Sequence, residues 1–349
     1  MQFERRSDIP WTVVAVAPLG AIAVALGLCA GLIALAGVNP LVAYYEMLKG
    51  AFGSRLAVTE TLTRAIPLIL TGLAAATAFR ARVWNIGAEG QFYMGALFTA
   101  WAGHGVVTGL PAPLAIAVLL VGGMVAGALL LIGPLILRLR FGVDEVVTTL
   151  LLNFIALLFV GMMVEGPMKD PMGFGWPQSV PVASGVMLPD LVARSRLHIG
   201  LLVAIAMAFG VWIIQARTVF GAGAKAAGLS PRAAVFAGIP LSQTLFLVAL
   251  LSGGLAGLAG AVEVIGVTGY VTTTMSPGYG YAGIVVAMLA ALHPLGVVAA
   301  AVFVATVFVG ADAMSRATGV PSFIADVIMS VSLLTMLTAL LFTTYRIRR

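Results

Sequence analysis

Apolar residues fall along the chain in long blocks, near residues 11–37, 61–79, 90–109, 112–137, 146–164, 199–216, 242–264, 281–292, 295–313 and 321–343. A hydrocarbon core about 30 Å thick takes roughly 20 apolar residues per helical crossing at about 1.5 Å rise each. The pattern therefore predicts an all-α polytopic membrane protein of about ten transmembrane helices, with residues 1–349 forming one transmembrane domain. The block at 281–292 is too short to cross alone and ends at His293-Pro294. Proline cannot continue a helix, and irregular backbone at membrane depth survives only where protein or water shields it. A broken or re-entrant helix beside a cavity is expected there, as at many transport sites. Five blocks precede the stretch 165–198 and five follow it, the arrangement expected of two five-helix repeats. Arg5 and Arg6 lead into the first block, which is too long for the roughly 7–15-residue core of a secretory signal and reads as a retained helix.

Composition agrees with this pattern. Of 349 residues 61% are hydrophobic and 9% charged, so water is not the solvent for most of the chain. The formal charge of +6 points to no nucleic acid, because Lys and Arg stand singly or in pairs between apolar blocks. Threading the chain back and forth with Arg5 and Arg6 in the cytoplasm puts twelve of the 19 basic residues on that side, among them Arg80, Arg82, Arg138, Arg140, Arg217, Lys225 and Arg232. The positive-inside rule then predicts a multi-pass protein of the cytoplasmic (inner) membrane with both termini in the cytoplasm. Residues 38–60 and 165–198 become extracytoplasmic stretches resting at the interface, where Tyr44, Tyr45 and Trp176 can anchor. Cys29, the one cysteine, lies in an apolar block and reads as a small buried hydrophobe.

Polar groups within apolar surroundings each need a reason. The densest group is Trp84-Asn85-Ile86-Gly87-Ala88-Glu89-Gly90-Gln91. Asn85, Glu89 and Gln91 carry donors and acceptors suited to sugar hydroxyls or base edges. The same stretch also reads as a solvated turn with Glu89 paired to Arg80 or Arg82. Asp144 and Glu145 suit the positive end of a helix dipole as caps. Asn153, deeper in that helix, reads either as interhelical glue or as pore lining. Glu263 ends a glycine-rich helix whose Gly253, Gly257 and Gly260 permit close helix contact. Beyond it, Tyr270, Thr272–Thr274, Tyr279 and Tyr281 read either as a ring-stacking, hydroxyl-binding rim or as an interfacial aromatic belt. Asp312 and Arg316 are four residues apart and predict a local ion pair, and Asp326 stands unpaired in the last block. His104, His198 and His293 lack ligand spacing, so no metal is expected. No phosphate-binding loop occurs: GAGAKAAG at 221–228 has the wrong spacing, so any ATP belongs to a partner. Residues 217–240 form the longest cytoplasmic loop, in which Ser230-Pro231 predicts a cap and a short helix.

Four stretches carry a resemblance: VWNIGAEGQFYMGAL (83–97), GVDEVVTTLLLNFIA (142–156), AKAAGLSPRAAVFAGI (224–239) and GYGYAGIVVAMLAALHPLG (278–296). In this order they resemble the inner-membrane permeases of bacterial ABC importers for nucleosides, within the branched-chain amino acid and simple-sugar permease group. The resemblance covers most of the chain, and NIGAEGQ is its most specific element. It implies a permease that is not itself an enzyme, working with cytoplasmic ATPase subunits that hold ATP and Mg, a second permease subunit (paralogue or self) and an extracytoplasmic solute-binding protein. It further implies a coupling helix over 228–239, involving Gly228, Pro231, Arg232, Ala234 and Gly238, that docks on the ATPase. Asn85, Glu89 and Gln91 become translocation-pathway candidates, beside Asn153, Glu263 and Tyr279 from the residue reading. The alternatives are a permease for a monosaccharide or branched-chain amino acid, and a secondary transporter using Glu89, Glu263 and Asp326 as coupling carboxylates.

Overall fold

A computed structural model describes residues 2–5 and 11–348, with side chains placed for residues 19–339 except Ala325. Thirteen α-helices follow one another among these residues: α1 (Trp11–Leu35), α2 (Pro40–Phe52), α3 (Arg55–Arg80), α4 (Ala88–Trp101), α5 (Ala112–Phe141), α6 (Glu145–Glu165), α7 (Gly200–Arg217), α8 (Val219–Leu229), α9 (Pro231–Phe236), α10 (Leu241–Glu263), α11 (Tyr279–Leu289), α12 (Pro294–Thr318) and α13 (Ile324–Thr344). Every predicted apolar block is helical. Six helices, α3, α5, α6, α7, α10 and α12, are long and apolar enough to cross a bilayer unaided among the described residues. α4 and α10 each run on through a π-helical turn, Ala102–Val106 and Val264–Thr268. α11, with 11 residues, is half a span, as its His293-Pro294 ending predicts.

Local chemistry sets many of the boundaries. Ser54 and Asp144 cap α3 and α6 by accepting from the Ala57 and Val146 amides, while Gly142, at φ +67°, ends α5 in the left-handed conformation. Glu145, expected to share the capping, instead binds Arg138 at 2.6 Å and accepts from the Trp84 amide. Within the stretch 38–60, Asn39-Pro40 starts α2, which leaves α1 at 115°, and α3 begins at Arg55. The predicted pair of Asp312 with Arg316 is also replaced, because Asp312 meets Arg64 of α3 at 3.1 Å. Asp326 lies in the first turn of α13 with an exposed side chain. Cys29 is fully buried.

Two four-residue strands lie outside the helical bundle. Gln2–Arg5 (β1) and Tyr345–Arg348 (β2) pair antiparallel, which brings both ends of the chain to one face.

α3 and α10 form the centre, buried over 89% and 78% of their spanning stretches, whereas α6 and α7 are buried over 22% each and face outward. Between helices in lipid the attraction comes from close packing and hydrogen bonds, since hydrocarbon is as apolar as leucine. Gly257 and Gly260 supply that closeness, pressing α10 against the backbones of α5 and α4 so that a Cβ at either would overlap them. The pairing has an internal symmetry. α10 packs on α4 and α5, α3 packs on α11 and α12, and the two central helices pack on each other. Second, third and fourth spans of each half thus exchange places, with a short helix third in both. Five spans per half invert one half relative to the other, the construction of an inverted repeat.

The stretch 166–199 folds back over the end of α10. Its Ser179, Val182 and Leu188 amides donate to the carbonyls of Val271, Gly269 and Ile265 at 2.7–2.9 Å. His198 is wedged beneath it against Gly200 and Gly266, with Nδ1 accepting from the Gly200 amide at 3.1 Å. Burial pushes this imidazole down to about 4, with Asp190 pulling the other way. A depressed folded value means the unfolded chain takes up the proton first, near 6.5, so stability is complete above that pH and falls as the pH drops toward 4. At pH 5 the loss is about 2 kcal/mol, from roughly 1.36 kcal/mol per unit. Melting of the purified protein at pH 7.5 and pH 5 should show this drop, and His198→Asn, which keeps an acceptor for Gly200, should remove most of it. An equal drop in the variant would place the sensitivity elsewhere.

Candidate functional site

The break between α3 and α4 is built from side-chain amides. Residues 81–87 leave the end of α3 and fold back into the bundle, where Asn85 is fully buried. Its amide and that of Gln91 bond reciprocally at 2.9 Å, its oxygen also accepts from the Gly87 amide, and its nitrogen donates to Ser252 Oγ at 2.9 Å. Ser252, at the middle of α10, donates in turn to the Ala74 carbonyl of α3 at 2.8 Å. The loop is thereby tied to both central helices. Asn153 of α6 secures it from the other side, accepting from the Gly90 amide and donating to the Ile86 carbonyl, both at 2.8 Å, and donating to the Tyr281 hydroxyl at 3.1 Å. Thr149 adds a bond from the Ile86 amide. These groups bond one another, so in this conformation the amides hold the broken helix in place and close off its polar backbone.

At the centre of this arrangement two helix N-termini meet. Gly280 of α11 abuts the first turn of α4, and its amide donates to Glu89 Oε2 at 2.6 Å. The Tyr279 amide donates to Ser276 Oγ, and the Tyr279 carbonyl accepts from Thr71 at 2.9 Å. Each helix N-terminus carries roughly half a positive charge, so two of them converging around one carboxylate offset its removal from water. Glu89 has no arginine partner among the described residues. Arg80 donates to Gln215 at 2.9 Å, and the Arg82 carbonyl accepts from Arg138. The solvated-turn reading fails because Asn85 and Gly87 to Gln91 are buried inside the bundle, with Glu89 8% exposed.

Glu263 and Tyr279 stand apart from these amides, on an outer cavity of about 280 Å³. Its other charged walls are Glu60, Arg64 and Arg196. Arg196, from the 166–199 stretch, reaches Glu60 of α3 at 2.6 Å across the mouth.

On the face bearing both chain ends, a second cavity of about 300 Å³ is bordered by Arg80, Arg82, Lys225, Gly228 and the turn from Ala291 to His293. Gly228 is buried in α8 against the Arg80 carbonyl. Ser230 caps α9 by accepting from the Ala233 amide, and Pro231 takes its first position. Ala234 is buried, Arg232 and Gly238 are exposed, and Gly238 turns the chain at φ +79°. Ala291 and Leu292 both hold positive φ, +48° and +60°, an uncommon conformation for two successive non-glycine residues.

The six pathway candidates fall into two groups in the structure. Asn85, Glu89, Gln91 and Asn153 form one cluster, and Glu263 and Tyr279 another. Ser252 escaped notice because a lone serine among glycines gives no signal. Glu60 and Arg64 were readable only as a helical pair four residues apart.

The comparisons agree with this architecture. Residues 57–340 match the family described as branched-chain amino acid transport system / permease component. The glucose ABC transporter permease protein TsgB13 of Haloferax volcanii is 32% identical over 99% of this chain and 93% of its own. The guanosine ABC transporter permease protein NupP of Bacillus subtilis is 33% identical over 90% of both chains. The nucleoside ABC transporter permease protein NupB of Lactococcus lactis is 33% identical over 88% of this chain and 86% of its own. No solved structure matches the chain. With paired half-helices and a match across most of its length, this chain belongs to the family of branched-chain amino acid transport system permease components.

Proposed function

We propose that this chain is the permease subunit of an ATP-binding cassette importer carrying nucleosides across the cytoplasmic membrane, with both termini in the cytoplasm. The observation that carries the reading is the likeness to the guanosine and nucleoside permeases over about nine tenths of the chain. The inverted pair of half-helices supports it, since such breaks place polar groups at membrane depth, where a hydrophilic solute needs them.

Cytoplasmic ATPase subunits, holding ATP and Mg, would dock on α9. Val235 and Phe236 project from this six-residue helix into solvent, Phe236 at 96% exposure, beside the exposed Arg232. Such a surface suits an apolar pocket rimmed by acid. From α9 a movement would pass through Ser230 to α8, then across Gly228 to the end of α3 and the Ala291–Leu292 turn. That turn carries α11, whose first residues hold Glu89. A second permease subunit and an extracytoplasmic solute-binding protein complete the assembly. The pore binds weakly and leaves selection to the binding protein, since a tight pore site would slow release.

A monosaccharide is the second reading, favoured by the likeness to the glucose permease over 99% of the chain. Uptake into vesicles bearing the assembled importer decides between them. Unlabelled guanosine should suppress uptake of labelled nucleoside, and glucose and leucine should not. Suppression by glucose alone moves the assignment to sugars, and uptake that persists without the ATPase moves it to ion coupling. Glu89→Gln keeps an acceptor for Gly280 but loses the charge between two dipoles, worth up to about 2 kcal/mol, so uptake should fall about tenfold. Full uptake with intact assembly removes Glu89 from the pathway.

A further inference from the structure

The outer cavity contains the one unsatisfied carboxylate among the buried acids described. Glu89 accepts from Gly280, Glu145 binds Arg138 and Asp170 accepts from the Met172 amide and Gln178. Glu263, 7% exposed, has no hydrogen-bond or ion-pair partner among the described residues. The same contrast holds between the two buried tyrosines. Tyr93 donates to the Thr273 carbonyl. The hydroxyl of Tyr279, 5% exposed, has no such partner. Both free groups line the cavity of about 280 Å³. Neither group is sealed off, since Ser332 Oγ is the one fully buried side-chain polar atom without a partner among the described residues, so the carboxylate and the hydroxyl both open into the cavity with their bonding capacity free for whatever enters it.

The walls restrict what that is. Arg64 is held by Glu60 and Asp312, and Arg196 by Glu60, so both cations are already engaged. An anion would meet the unpaired Glu263, and a cation would meet two arginines. Counting Glu60, Arg64, Arg196 and Glu263, the wall is neutral. What remains unmatched is a pair of carboxylate oxygens that can only accept, next to a hydroxyl that can give or take. Two adjacent hydroxyls on one ring donate to the two oxygens of a single carboxylate, and the volume, near the lower end of the roughly 300–1,000 Å³ of small-molecule sites, admits such a ring.

We propose that Glu263 and Tyr279 form an outer subsite for the vicinal hydroxyls of a neutral solute, the ribose edge in the case of a nucleoside. The inference rests on import of a polyhydroxylated solute, and it specifies which part of that solute enters the outer cavity first.

The test is a cycle crossing one protein group with one solute group, run on the assembled importer in vesicles. Glu263→Gln is combined with guanosine and with its 2′,3′-dideoxy analogue, which lacks both hydroxyls. If carboxylate and diol bond each other, removing either should lower uptake about tenfold, and removing both should be no worse than removing one. Tyr279→Phe, which deletes only the hydroxyl, should follow the same pattern with a smaller loss and controls for misfolding of the first variant. Losses that multiply instead, with the variant equally impaired for both solutes, overturn the subsite. Absence of guanosine uptake by the wild type rejects the nucleoside reading, and the same cycle with glucose and its deoxy analogues then decides the subsite on its own.

Discussion

Gly280→Val should abolish uptake and lower the melting temperature of the purified protein. A Cβ at position 280 falls on the backbone of Glu89, and that obstacle is the main chain of another helix, which cannot move aside as a flexible side chain can. The first turn of α4 is fixed by Asn153 through Gly90 and by the Asn85–Gln91 pair, so displacement there strains the whole amide network. Overpacking a close interface costs typically about 1–3 kcal/mol, and parting the two N-termini removes the bond from the Gly280 amide to Glu89 as well. Uptake falling by at least about a hundredfold, with Gly280→Ala intermediate, is the expected series. Wild-type uptake by the valine variant would show that the two helices are not held together during transport.

The contact between Gly280 and Glu89 was not legible in the sequence, and the reason is physical. Long apolar blocks announce helices because the thickness of the bilayer fixes how many such residues a crossing takes. The half-length of α11 was equally plain, since His293-Pro294 ends it and the apolar block before it is short. Depth is another matter. Trp84 to Gln91 contains the same polar types whether water or protein satisfies them, and the partners that bury it, Asn153 and Ser252, lie 63 and 167 residues away. A local rule therefore proposed a solvated turn. Asp312 failed for a related reason. Its neighbour Arg316 stood at helical spacing, but Arg64 was brought to it by the packing of α3 on α12. Ser230 and Pro231, by contrast, act within one turn of their own chain, and there the expectation of a capped short helix was met.

Gly228→Val should leave ATP hydrolysis by the assembled importer within about twofold of wild type while cutting uptake at least about tenfold. The side chain of residue 228 would strike the Arg80 carbonyl, where α8 rests on the end of α3, so α8 and its short companion α9 should move outward together. The exposed apolar tip of α9, Val235 and Phe236, is untouched by the substitution, so docking should survive. On the coupling route proposed above, what is lost is the rigid seat of α8 on the end of α3, through which a push on α9 would reach the Ala291–Leu292 turn. That turn holds two successive left-handed residues at a cost of order 1 kcal/mol each, which makes it the natural place for α11 to pivot. Hydrolysis and uptake measured on the same vesicles separate the cases. Loss of both means that the substitution has disturbed docking, whereas retention of both means that force reaches α11 by some route other than Gly228.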